Sequence, residues 1–174
     1  MGKTTEPRIM TIEIVATTAV PAEDVLAAAS DFSARRVDVF PAVSTAHMTV
    51  HALGETTADV TEGTRVGPVV VWERCDYDWS HAGRVSAIVT DSNVYSVPGS
   101  AWTITAEQNG NETRVALTWT RGFRRGPLGR FMSVVYRRMG RRSFTKYTRD
   151  ILRNLEGLEP HAERDTTTET VPRV

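Results

Sequence analysis

Four histidines and one cysteine are the first residues to weigh for chemistry. His47 and His51 fall on one strand-like run, and four strand residues span about 13 Å at 3.3 Å each. Ligands of a single metal ion sit roughly 2 Å from it, so this pair is too far apart to share one. His81 stands in a turn and His161 in a polar tail, and no cysteine or carboxylate spacing completes a ligand set. Neither a metal nor another cofactor is therefore expected. Cys75 lies in a strand-like run without an activating neighbour, so it reads as a small buried hydrophobe rather than a reactive thiol. The chain has no G-x-S-x-G, P-loop or G-x-G-x-x-G motif.

Acid–base chemistry is open to the run Pro68–Tyr77 and its continuation. Val70, Trp72, Arg74 and Asp76 share one strand parity, while Val69, Val71, Cys75 and Tyr77 share the other. If the Val70/Trp72 face looks inward, Arg74 and Asp76 become polar groups of a pocket, and an enclosed carboxylate would have a raised pKa suited to proton transfer. With the other face inward, the same residues form an exposed, ion-pairing strand end. Tyr95, Tyr136 and Tyr147 could each donate a hydrogen bond to a ligand carbonyl. Trp102 alternates with Ile104, and Trp119 with Val115 and Leu117, which places both on inward faces.

These residues need elements to position them. Met10, Ile12, Ile14 and Ala16 alternate with polar neighbours as one face of a strand. From Val20 to Phe32, Pro21 opens a short helix with acids in its first turn. A second short helical piece over Ser33–Phe40 stops at Pro41. Strands follow, beginning with a run whose Ala46, Met48, Val50 and Ala52 share a face. Thr57–Glu62 comes next, then a turn bracketed by Gly63 and Gly67, then Pro68–Tyr77 and Arg84–Asp91. Ala101–Glu107 and Glu112–Arg121 are joined across Asn109-Gly110-Asn111, a hairpin sequence. Strands that meander without intervening helices predict an antiparallel sheet.

Pro127 to Leu158 is the one long helix-period segment. Leu128, Phe131, Met132, Val135 and Met139 make one stripe; Phe144, Tyr147, Ile151, Leu155 and Leu158 make a second, about 100° round the helix. A kink or break near Gly140 is expected, or two separate helices. The fold class is thus α+β: a curved seven-stranded antiparallel sheet wrapped around a long C-terminal helix, with two short helices between strands 1 and 2. Residues 1–8 read as a loose lead-in, 9–158 as one domain, and 159–174 as a disordered tail.

Composition sets the outer bounds. Among 174 residues, 40% are hydrophobic and 24% charged, with zero formal net charge, which is ordinary globular usage. No run approaches the length of a membrane-spanning helix, and MGKTTEPR lacks the apolar core of a secretory signal. The chain reads as cytoplasmic. The neutral total hides an asymmetry: eleven basic residues lie between Arg121 and Arg153, opposed only by Asp150. Either these arginines pair with acids on neighbouring strands, or they form a docking surface for an acidic partner, such as an acyl carrier protein, or for anionic lipid headgroups. No helix-turn-helix or other reader motif points to nucleic acid.

This order of elements resembles the START-like, helix-grip superfamily (SRPBCC), most closely its bacterial polyketide cyclase/dehydrase-like members. Ala19-Val20-Pro21-Ala22-Glu23-Asp24-Val25 with Ser30-Asp31-Phe32 resembles the family's first strand and helix, and Gly110-Asn111-Glu112-Thr113-Arg114-Val115 its last hairpin. Gly126-Pro127-Leu128-Gly129 resembles the entry to its final helix, and Leu152 to Glu156 the end of it. The family usually carries Trp-Pro after the second helix, where this chain has Phe40-Pro41. The resemblance implies a cavity between sheet and C-terminal helix that takes a hydrophobic small molecule such as a lipid or polyketide-like compound. Its walls would include Trp72, Trp102, Trp119, Met132, Tyr136 and Met139, with Arg74 and Asp76 as polar groups. Members range from lipid carriers to enzymes that cyclise polyketides, and no shared catalytic motif transfers to particular residues. Binding without catalysis is the leading expectation; a cyclase or aromatase, or an interaction module acting through the basic helix, are the alternatives.

Overall fold

The computed structural model describes residues 9–95 and 99–158; the lead-in and tail expected at 1–8 and 159–174 lie outside them. Seven strands form one antiparallel sheet: β1 (Met10–Thr18), β2 (Thr49–Leu53), β3 (Thr57–Val66), β4 (Val69–Asp78), β5 (Arg84–Ser92), β6 (Ala101–Asn109) and β7 (Glu112–Arg121). The spatial order is β1-β7-β6-β5-β4-β3-β2. Strands β2 to β7 are a simple meander, and β1 closes onto β7 with Ile14 opposite Leu117. Helices α1 (Ala22–Ser30) and α2 (Arg36–Val39) connect the two edge strands, and α3 (Pro127–Gly157) packs across the concave face. This is the helix-grip fold expected from the sequence.

Alternation along each strand decides which face is buried. Val115, Leu117 and Trp119 of β7, Trp102, Ile104 and Ala106 of β6, and Val85, Ala87 and Val89 of β5 all point into the core. On β4 the inward parity is that of Val71, Cys75 and Tyr77, which overturns the alternative with Val70 and Trp72 inward. A three-member apolar set outweighs two, because a one-residue slip would expose all of it.

Two strand readings need correction. Residues 45–47 form a short 3-10 turn, β2 starts at Thr49, and both of its faces are exposed, so Ala46, Met48, Val50 and Ala52 are not a buried face. Nor does the chain turn at Gly63. β3 runs through it to Val66, and the turn is at Gly67 and Pro68. Gly63 is there for space: a Cβ would stand 3.0 Å from that of His47 and 3.2 Å from that of Trp72.

α3 is one unbroken helix of 31 residues, not two pieces joined at Gly140. Its buried line runs Gly129, Met132, Tyr136, Gly140, Phe144, Thr148, Ile151 and Leu155. Each four-residue step advances the line about 40° round the helix, so it drifts continuously from the first stripe to the second. Reading Phe131 and Met139 as core, and overlooking Gly140 and Thr148, made this drift look like a break. Gly140 lets the helix approach β1, since a Cβ there would lie 3.1 Å from Cδ1 of Ile12. At the far end Thr18 donates to Glu156 at 2.7 Å, and Asn154 donates to the Val39 carbonyl at 3.2 Å, tying α3 to β1 and α2.

Candidate ligand cavity

Between α3 and the sheet lies a cavity of about 350 Å³, within the range of small-molecule sites. Trp102, Trp119 and Leu117 line it from the sheet, and Met132, Tyr136 and Phe144 from α3. The rings interlock: Trp119 meets Phe144 at 4.4 Å between centroids, and Phe144 meets Tyr136 at 5.4 Å. Flat, polarisable walls of this kind suit an aromatic or conjugated guest.

Two buried ion pairs are set into this apolar wall. Glu62 of β3 and Glu73 of β4 stand directly opposite each other, an arrangement that would be destabilising if both charges were unopposed. Each has its own arginine. Arg36 of α2, 1% exposed, makes a forked contact with Glu62 and donates to Tyr77 Oη at 3.3 Å, the Ala29 carbonyl at 3.0 Å and the Asp31 carbonyl at 3.3 Å. Its guanidinium also lies over the Phe32 and Phe40 rings, 4.5 and 4.7 Å from their centroids. Burial alone would lower its pKa, but attraction from Tyr77 and Glu62 raises it, so it stays charged.

Arg121, at the end of β7, donates from Nη2 to Glu73 Oε1 at 3.1 Å and from Nη1 to the Ala101 carbonyl at 3.2 Å, and sits over the Tyr95 ring at 4.6 Å. Unlike the Arg36 fork, this one is half used. Glu73 Oε2 and Arg121 Nε are buried and have no hydrogen-bond partner among the described residues. Burial pushes the Glu73 carboxyl above its ordinary range, against the pull of Arg121 and helped by the charge of Glu62. Beside this pair, the Tyr95 and Tyr136 hydroxyls share one hydrogen bond of 2.6 Å, which leaves the second hydroxyl proton free to be donated. Burial pushes the phenols of Tyr95 and Tyr147 upward, so both remain protonated donors. The cavity thus offers acceptors and donors around neutralised charges.

The structure sorts the residues singled out in the sequence. Trp102, Trp119, Met132, Tyr136 and Met139 line the cavity; Trp72 borders it while belonging to the outward parity of β4. Arg74 and Asp76 do not reach it. Arg74 pairs with Asp59 on the outer face, and Asp76 is exposed. The inward carboxylate of β4 is Glu73, next to Arg74 and three residues before Asp76; the sequence did not single it out for the pocket, nor Arg36, Glu62 or Arg121. Parity with Val71 and Cys75 was the available signal for Glu73. Cys75 is fully buried, and burial drives its thiol pKa well up. Native protein should therefore resist a thiol reagent such as Ellman's, with one equivalent reacting only on denaturation; rapid native labelling would contradict this placement. Among the described residues no group of three or more His, Cys, Asp or Glu could hold a metal ion, and no helix is long and apolar enough to cross a membrane.

A curved sheet gripping a long helix over a cavity is the START-like, helix-grip fold. The chain belongs to the family described as polyketide cyclase / dehydrase and lipid transport, whose model matches residues 10–158. No curated protein matches it by sequence. Among solved structures it is similar to a protein from Thermus thermophilus at TM-score 0.68 and 13% identity, covering 85% of this chain and 98% of that one. It is equally similar to the Zhui aromatase/cyclase from Streptomyces sp. R1128, at TM-score 0.68 and 15% identity over 86% and 94% of the two chains. A START superfamily protein from Mycobacterium smegmatis aligns at TM-score 0.60 and 9% identity over 83% and 98%. At these identities the likeness concerns the fold.

Proposed function

We propose that this protein binds a hydrophobic small molecule carrying neutral oxygen functions, of the polyketide or aromatic type, in the cavity between α3 and the sheet. The observation that carries this is the aromatic wall itself, which is bordered by the Tyr95–Tyr136 hydroxyl pair and by arginines and glutamates that neutralise each other. A ketone or ether oxygen can accept the hydroxyl proton that the Tyr95–Tyr136 pair leaves free. Both carboxylates already have counter-charges, so a guest with its own carboxylate would meet Glu62 and Glu73 without an unclaimed arginine. A neutral polar guest meets no such penalty.

The test is native mass spectrometry after incubation with a panel of aromatic polyketides, fatty acids and lipids. Stoichiometric uptake is expected, with oxygenated aromatic compounds favoured over simple fatty acids. Ser143, exposed and on the cavity wall, gives a control: Ser143→Trp should cut uptake at least about tenfold, the scale of one lost good contact, while the melting temperature holds. No uptake from any class would overturn the reading.

A second reading, cyclase-type catalysis, is favoured by the place of Glu73, a carboxyl on the cavity wall directly opposite Glu62, where burial pushes it above its ordinary range. A carboxyl poised nearer neutrality can take a proton from the carbon between two carbonyls and return it to an alkoxide. Turnover of a poly-β-keto substrate that is lost in Glu73→Gln with binding retained would select this reading; unchanged turnover in that variant would exclude Glu73 as its acid–base group.

A further inference from the structure

The N-terminal half of α3 turns an unusual face to solvent. Phe131, Val134 and Met139 are 59%, 47% and 58% exposed, in a helix whose other large apolar side chains are at least half covered. Burying such groups is the ordinary fate of large hydrophobes; a cluster left out marks an interaction site. They are interleaved with Arg130, Arg137, Arg138, Arg141 and Arg142, all exposed, and no salt bridge involves any of the five among the described residues. The acid on this helix that does pair, Asp150, serves Lys146 and Arg153 within about a turn of itself, and it stands about two turns beyond Arg142. The sequence left two readings of the basic stretch, and the structure does not pair these five with strand acids.

The arrangement along the helix is ordered. Residues four apart stand one above another. Phe131, Val135 and Met139 therefore make an apolar row that continues to Ser143, and Val135, Met139 and Ser143 all line the cavity. Met139 and Ser143 are also exposed, as is Ala42 on the opposite wall, so this row ends at the cavity mouth. The adjacent row is Arg130, Val134, Arg138 and Arg142, and beyond it lie Arg137 and Arg141.

We propose that this face docks on an anionic lipid bilayer, with the arginines on headgroup phosphates and Phe131, Val134 and Met139 in the acyl boundary, so that the cavity mouth faces the membrane. Charge complementarity and apolar depth together select this occupant: an anionic bilayer presents dense negative charge over a layer that accepts single apolar side chains without shape matching. Docking there gives a water-insoluble guest a route into the cavity that bypasses water. The surface stands apart from the identity of that guest.

The experiment is co-flotation of the full chain with vesicles of phosphatidylcholine alone and of phosphatidylcholine containing phosphatidylglycerol. Binding to the anionic vesicles only is expected, weakening sharply as salt is raised. Arg138→Glu with Arg142→Glu should lower the bound fraction at least about tenfold, and Phe131→Ser should weaken binding that survives moderate salt. All three residues are exposed, so unchanged far-ultraviolet circular dichroism and melting are expected and would separate surface effects from unfolding. Equal binding to both vesicle types, no binding to anionic vesicles, or binding insensitive to the arginine reversals would overturn the proposal. Binding to an acidic polypeptide but not to vesicles would also overturn it and assign the face to an acidic protein. Ligand uptake from solution, measured in parallel on the same variants, should be unaffected, so failure of docking and failure of the cavity reading give different results.

Discussion

Arg36→Ala should destabilise the protein by about 3–5 kcal/mol, the usual cost of removing one partner from a buried ion pair. The side chain is 1% exposed and serves Glu62, Tyr77 and two backbone carbonyls. Its loss strands a carboxylate of which only 11% is accessible, directly across the ladder from Glu73. It also empties the space between the Phe32 and Phe40 rings and unties α2 from the sheet. Urea unfolding followed by tryptophan fluorescence measures the change. Arg36→Ala combined with Glu62→Gln should recover part of the loss, because the stranded charge is then gone. A single substitution that costs under about 1 kcal/mol, the scale of a surface pair, would show that the cluster is not the anchor described here.

Arg121→Met should be nearly as costly, and its cost should depend on pH. Removing the guanidinium leaves the buried Glu73 carboxyl facing Glu62 without its counter-charge. In the intact protein the Glu73 carboxyl is already raised above its ordinary value of 4.5. A raised folded pKa means that the folded state holds its proton when the unfolded chain has released it. Stability from this group is therefore fully present below the ordinary carboxylate value and is lost as pH rises through the folded one. Without Arg121 that loss should deepen. The deficit of Arg121→Met should be about 3–5 kcal/mol at neutral pH and shrink on acidification as Glu73 takes up a proton. Glu73→Gln, which cannot ionise, should remove the pH dependence and restore much of the stability of Arg121→Met. Unfolding curves from about pH 4 to about pH 8 on the two single variants and the double decide it. A deficit that is flat with pH, or that grows on acidification, would contradict the assignment of Glu73 as the raised group.

Much of the architecture was legible in residue pattern. Strand parity read correctly for Trp102 and Trp119, the hairpin at Gly110 and Asn111 joins β6 and β7 as expected, and Pro127 opens α3. These are properties of period and turn chemistry, local in sequence. Local pattern misled where space mattered. Gly63 and Gly140 look like breakers, yet each sits inside a regular element because another element approaches it closely.

The cavity's polar groups show the limit most clearly. Sequence alone determined that an apolar-faced sheet and one long amphipathic helix must cover each other, since neither can leave its hydrophobic face in water. It also determined that positive charge gathers along that helix. Only the tertiary structure decided that Glu73 rather than Asp76 faces inward, because β4 parity is set by which neighbours the whole sheet buries. Only it brought Arg36 to Glu62 and Arg121 to Glu73, across 26 and 48 residues of chain. The charge of a buried side chain is tolerable only beside a partner at hydrogen-bond distance, and that partner is supplied by strand register and helix placement, which no local spacing encodes.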